Sequence, residues 1–125
     1  MEAKRNANLY SIRKRSDFIL ASRAKRGSST GIIIQARQRS DNDFLYNDAI
    51  RVGVTCTKKI GNAVIRNRAK RRLRELSRKV IPTCGKPGWD YVLIAKSIET
   101  CDRPFELLLH DLKNVVRRLH SKDIL

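Results

Sequence analysis

Residues 58–79 read KKIGNAVIRNRAKRRLRELSRK, ten lysines and arginines against one acid, Glu75, for a local balance of +9. Like charges three and four residues apart on a helix repel, so such a segment is costly to hold as an isolated helix. A second pattern runs through it. At about 100° per residue, Ile65, Ala69, Leu73, Leu76 and Val80 fall on one stripe, which has to pack against an apolar support. Arg66, Asn67, Lys70, Arg71, Arg74 and Arg78 run round the opposite side, with Arg68, Arg72 and Lys79 along the border. The fold must therefore bury one side of this helix and leave the other to a polyanion.

The whole chain leans the same way, with 28 basic and 12 acidic residues giving a formal charge of +16 on 125 residues. A field of that sign attracts phosphate. The length predicts one domain over residues 1–125, burying roughly two-thirds of the surface that its unfolded chain exposes, with no room for a separate catalytic module. The apolar runs Ile32-Ile33-Ile34 and Tyr91-Val92-Leu93-Ile94-Ala95 need burial and oppose disorder. Cys56, Cys84 and Cys101 are odd in number and widely spaced, which fits reduced thiols and neither a disulfide framework nor a zinc site. The first residues lack the apolar stretch of a secretory signal, and no apolar run approaches the ~20 residues that span a bilayer. A cytoplasmic protein is expected. The basic segments also lack the exposed Trp, Phe and Leu of an interfacial membrane anchor.

Along the chain, residues 1–12 read as a loosely held basic arm. Ser16 is expected to cap a short helix carrying Phe18, Ala21 and Ser22, which Gly27-Ser28-Ser29-Thr30-Gly31 breaks. Residues 32–38 predict a strand, and the turn-forming run Ser40-Asp41-Asn42-Asp43 with Asn47-Asp48 predicts a hairpin into a second strand, 51–57. That turn lacks the central Gly and closing Glu of a calcium loop. On the second strand Val52, Val54 and Cys56 share a face, and Gly53 marks a close approach or a bulge. Asn62 is placed to cap the basic helix, which Pro82, Gly85, Pro87 and Gly88 are expected to end. Residues 90–96 form a strand whose near-continuous apolar character implies burial on both faces. A last helix carries Phe105, Leu108, Leu109, Leu112, Val115, Val116 and Leu119 at spacings of three and four. The class is α+β: a small central sheet packed by helices.

A charged helical run is usually a solvated face, but solvated faces mix both signs. Here Arg also outnumbers Lys six to two in residues 66–79, and guanidinium forks bind phosphate bidentately and stack on bases. Asn62, Asn67 and the amides of the helix start add donors and a positive dipole end. Catalytic groups are not evident. His110 and His120 read as surface histidines, Trp89 and Tyr91 as core or rim, and the acids are scattered or gathered in one turn, not clustered as a metal-dependent nuclease requires. Tyr10 stands in a basic context with Arg13, Lys14 and Arg15.

Residues 51–75, RVGVTCTKKIGNAVIRNRAKRRLRE, closely resemble the signature of the protein subunit of bacterial ribonuclease P, with its Lys-Lys, Gly-Asn-Ala-Val, Arg-Asn-Arg and Lys-Arg elements in order. The Ser-Asp-Phe helix start and the Asp-Tyr-Val-Leu-Ile-Ala strand agree with that plan. The resemblance implies a left-handed β-α-β crossover carrying the basic helix, as in ribosomal protein S5 domain 2. It implies a catalytic RNA that removes the 5′ leader of precursor tRNA by metal-assisted hydrolysis, with Mg2+ held mainly by the RNA and none bound stably by the protein. Partners so implied are the catalytic RNA and precursor tRNA, with no membrane and no obligate protein partner. Lys58, Lys59, Asn62, Arg66, Asn67, Arg68, Lys70, Arg71, Arg72 and Arg74 would face the catalytic RNA, and Phe18 with Arg13, Lys14 and Arg15 the leader. Ser22 and Gln35 stand where relatives carry aromatics, so weaker stacking on the leader is expected. Two other readings share the charge and size: a ribosomal or RNA-chaperone protein, and a DNA-binding regulator. Against the latter, the arginines surround the helix and form no single reading edge.

Overall fold

The computed structural model describes residues 9–40 and 48–121. Five strands, β1 (Leu9–Ser11), β2 (Lys25–Ser28), β3 (Ile32–Gln38), β4 (Ile50–Thr55) and β5 (Trp89–Ala95), form one sheet in the order β1-β4-β5-β3-β2. Four helices accompany them: α1 (Arg15–Ser22), α2 (Ala63–Cys84), the short α3 (Glu99–Asp102) and α4 (Phe105–Ser121).

The central place of β5 follows from its composition. Trp89, Tyr91, Leu93 and Ala95 enter the main core, while Asp90 and Val92 are buried on the other face. A strand buried on both faces needs neighbours on both edges. β5 pairs antiparallel with β3 and parallel with β4, so α2 is the crossover that a parallel β4–β5 connection requires. The hairpin expected between β3 and β4 is thus overturned, because β5 lies between them. The turn proposed for it, residues 41–47, lies outside the described residues, as do residues 1–8 of the expected basic arm.

Other expectations need adjustment. Residues 9–11 are the parallel edge strand β1, paired with Ile50 to Val52, and Ile12 is buried, so the arm is held from Leu9 onward. The segment read as a helix-breaking loop includes β2, whose Gly27 pairs with Ile34. A Cβ on Gly27 would sit 2.6 Å from the Val115 side chain, so glycine is what lets α4 approach this edge. Ser16 does not cap α1; Lys14 holds the N-cap position without a side-chain bond, and Asp17 in the first turn lies 3.2 Å from Arg51. Pro82 lies inside α2, which runs on to Cys84 before Gly85 closes it through its N–H to the Ile81 carbonyl, 2.8 Å.

Two layers cover the sheet. On one face α2 and α4 bury Ala69, Leu73, Leu76, Val80, Leu108, Leu112, Val115 and Val116 against β3 and β5. On the other, α1 sets Ala21 and Phe18 against Ile12, Val92 and Ile94. Gly53 is the close approach expected of it: a Cβ there would lie 2.5 Å from the Phe18 ring.

Two buried polar clusters, one on each face, fix the end of the sheet where β5 begins. Asp90, fully buried, accepts from Arg51 Nε and Nη2 at 2.8 and 2.7 Å and from Arg39 Nη1 at 2.7 Å, with Arg37 at 3.4 Å. The bonds it donates to Asp90 hold the Arg51 guanidinium above its already high ordinary pKa, against the opposing effect of burial. Arg39 also donates to the Ala49 and Trp89 carbonyls, at 2.6 and 3.1 Å. On the other face of the same end His120, expected on the surface, is buried: its Nε2 lies 2.6 Å from the Tyr91 hydroxyl, which accepts from the Lys86 N–H at 2.8 Å, and its ring stands edge-on to Trp89 at 4.5 Å. Trp89 and Tyr91 are core residues, as read from the sequence.

Asp90→Ala leaves a set of buried guanidinium groups without their shared carboxylate and should cost about 3–5 kcal/mol, a fall of roughly 10–20 °C in melting temperature by calorimetry. Tyr91→Phe deletes one hydroxyl shared by His120 and the Lys86 N–H and should cost about 1–3 kcal/mol, seen as a lower urea midpoint with unchanged slope.

Candidate nucleic-acid interface

The basic helix starts as its sequence requires. Asn62 holds the N-cap, its side-chain oxygen accepting from the Ile65 N–H at 3.0 Å. Just before it, Lys58–Ile60 form a single 3-10 turn that leaves Lys58 and Lys59 exposed. Arg66 donates to the Gly61 carbonyl at 2.8 Å, which draws its guanidinium back toward that turn. Lys58, Lys59, Asn62 and Arg66 therefore gather at the positive end of the α2 dipole, where anions are favoured.

Further along, Asn67, Arg68, Arg71 and Arg74 are exposed and Lys70 is half-buried. None of these five makes a side-chain hydrogen bond or ion pair with a described residue. Glu75 pairs with Arg78 at 2.6 Å and Lys79 at 3.7 Å, and the bond from Arg78 holds its carboxyl below the usual range. The lone acid of the helix thus neutralises its C-terminal half and leaves the N-terminal half uncompensated. Nearby, Cys56 has its thiol pushed up by burial and by Cys101, an effect opposed by Arg66 and Lys70. Thiols in that state are poor nucleophiles.

Arg72 corrects the sequence reading. Its guanidinium donates to the carbonyls of Thr100, Cys101 and Arg103 and lies 5.8 Å from the Phe105 ring. These are the otherwise orphaned carbonyls at the end of α3. Arg72 therefore ties α2 to α3 and offers little to a ligand. Its position on the border of the apolar stripe was the only hint, because its partners come from a segment about thirty residues on.

On the opposite face of the sheet lies a groove of about 260 Å³, lined by Arg15, Phe18, Ile19 and Ser22 of α1, with Gln35, Thr55, Val92 and Ile94 on its floor. Phe18, Ser22 and Gln35, singled out from the sequence, do meet in one place. Ile19, Thr55, Val92 and Ile94 were missed, although the last two stand at alternate positions of β5, opposite its core face. A second cleft of about 540 Å³ opens beside β1, between the other side of β4 and α2, where Tyr10, Arg13 and Phe18 face Arg74, Ser77 and Arg78. Arg13 and Lys14 are exposed at the foot of α1.

Asp17, Glu75, Asp90 and Asp111 are each held by a cation, the last by Arg103 at 2.7 Å. Among the described residues no three His, Cys, Asp or Glu side chains group as a metal site, and no helix is long and apolar enough to cross a membrane.

The Ribonuclease P family model matches residues 7–120. A ribonuclease P protein component of Ruegeria pomeroyi is 54% identical over 110 residues, covering 88% of this chain and 86% of the relative. That of Caulobacter vibrioides is 47% identical over 115 residues, covering 92% and 74%. Among solved structures, the RNase P protein from Thermotoga maritima superposes with a TM-score of 0.69 at 27% identity, covering 86% of this chain and 96% of its own. The Staphylococcus aureus RNase P protein gives 0.67 at 26%, covering 86% and 93%. With the sheet, the crossover helix and the signature run all inside the matched span, the chain belongs to the family of bacterial ribonuclease P protein subunits.

Proposed function

We propose that this chain binds the catalytic RNA of ribonuclease P through the N-terminal half of α2 and holds the 5′ leader of precursor tRNA in the groove under α1, while the RNA cuts. The observation that carries the reading is the set of uncompensated cations on α2, Arg68, Lys70, Arg71 and Arg74 with Lys58 and Lys59, set on a helix whose other side is locked in the core. Neutralising phosphates releases counterions and lets two RNAs approach. Phe18 gives a leader base an aromatic face, and Arg13, Lys14 and Arg15 give its backbone a cationic border.

The division of labour follows from the side chains. Asp17, Glu75 and Asp90 are engaged by arginines or lysines and His120 by Tyr91, which supports leaving the activation of water to the RNA. The magnesium ions of the reaction belong, on this reading, to the RNA. What the protein adds is position: a leader fixed against the sheet holds the scissile bond near the RNA's own catalytic groups. A cytoplasmic place beside precursor tRNA fits this role.

Reconstitution with a bacterial-type catalytic RNA tests it. Added protein should lower the magnesium needed for cleavage and tighten binding of leader-bearing precursor over mature tRNA by at least tenfold. A ribosomal protein or general chaperone of equal charge would do neither. Cleavage by the protein without RNA would refute the proposal.

A further inference from the structure

The sheet face that floors the groove under α1 runs on past it. Strand register carries two rows of paired residues across that face, Gly53 to Val92 to Gln35 to Arg26 and Thr55 to Ile94 to Ile33 to Ser28, and both rows end on the edge strand β2. Arg26 and Ser28 therefore stand at the margin of the floor, beyond the residues that line the groove itself. Cations gather there. Arg23, just past the end of α1, and Arg26 are exposed and make no side-chain bond with a described residue. Lys96, also exposed, donates to the Ser28 hydroxyl and the Ser29 carbonyl at 3.0 and 2.7 Å, and Arg118 of α4 reaches across to the Ser28 carbonyl at 3.3 Å. Arg118 belongs to a second basic surface. From His110 to Ser121, α4 exposes Lys113, Arg117 and Arg118, and its single acid, Asp111, is buried and held by Arg103. Lys113 and Arg117 lie one turn apart and have no side-chain partner among the described residues.

We infer that these cations form a phosphate track, leading from Arg23 and Arg26 over the β2 edge to Arg118, Arg117 and Lys113 of α4, which grips the backbone of leader nucleotides upstream of those in the groove. The inference rests on the leader-groove reading above and adds to it a second stretch of leader, held outside the groove and without regard to base. A basic path along an open edge suits a flexible single strand, whose phosphates it neutralises one by one. A protein partner is disfavoured, because neither β2 nor residues 110–121 of α4 expose a large apolar side chain for it to bury. Cations on an edge strand also deter strand addition, and cations in a last helical turn suit the dipole. Neither of those roles asks for a continuous line from the groove margin, and neither depends on the length of a leader. The track does. It favours precursors whose 5′ extension is long and unpaired over those already trimmed close to the tRNA.

The test measures binding of leaderless tRNA, and of precursor tRNAs with unpaired leaders lengthened one nucleotide at a time, to the reconstituted holoenzyme over a range of salt. The wild type should gain affinity in two stages. The first fills the groove; the second, from longer leaders, should add about tenfold and steepen the salt slope by about 0.7 for each phosphate held. Oligouridine and oligoadenine extensions should give the same second gain. Arg23→Gln with Arg26→Gln, and separately Lys113→Gln with Arg117→Gln, should each cut that gain severalfold. Both pairs should keep the first stage and the melting temperature, since all four side chains are exposed and bond no described residue. A wild type that gains nothing after the first stage, or a full second gain in either variant, overturns the inference and spares the groove reading. So does an α4 variant that alters binding of a polyglutamate peptide and not of the long leader. Equal binding of leaderless and leader-bearing tRNA by the wild type removes both.

Discussion

Burial of one side of α2 against the sheet is the interaction on which the rest depends. Ala69, Leu73, Leu76 and Val80 are fully enclosed between β5 and α4, and Ile65 is partly so. Burying such side chains stabilises by about 1.5–3 kcal/mol for each of the larger ones, enough to offset the few tenths lost for each repulsive i,i+4 pair on the outer side. The apolar stripe therefore lets a helix of this charge exist without its partner. Because the stripe is rigidly seated, the cations opposite it are aimed and not merely abundant.

The arginines divide into two populations. Arg39 and Arg51 close on Asp90, Arg103 closes on Asp111, and Arg72 holds the α3 carbonyls; these side chains work for the fold. Arg68, Arg71 and Arg74 have no such commitments among the described residues. The structural set sits where backbone or carboxylate groups converge, and the free set stands on the outward arc of a single helix. Composition counts both alike. A surface of +16 therefore overstates what is available to RNA, and geometry decides which charges are spent.

Periodic segments were legible in the sequence. The α2 stripe, its Asn62 cap, the α4 stripe and the span of β3 were read correctly, because each is set by local spacing. What failed was set by distant partners. The two short edge strands have little pattern of their own and exist through pairing with β3 and β4. The supposed β3–β4 hairpin gave way to β5, and the clue was present: a strand apolar along its whole length demands a central place. Pro82 falls in the last turn of α2, where it forgoes the bond to the Arg78 carbonyl without ending the helix before Gly85. Arg72 and His120 took roles from groups tens of residues away, which no local pattern records. At the site, Phe18, Ser22 and Gln35 were recognised through the family resemblance, whereas Ile19, Thr55, Val92 and Ile94 beside them became visible only with the whole groove in place.

The division of arginines is tested most directly by measuring, for single alanine substitutions of Arg68, Arg71 and Arg72, both melting temperature and affinity for the catalytic RNA as a function of salt. Arg68→Ala and Arg71→Ala should keep the melting temperature within about 2 °C, weaken RNA binding several-fold, and each reduce the salt slope by roughly one unit. Arg72→Ala should lower the melting temperature by several degrees and leave the salt slope unchanged. Melting losses equal across the three, or an undiminished salt slope for Arg68→Ala and Arg71→Ala, would contradict the account.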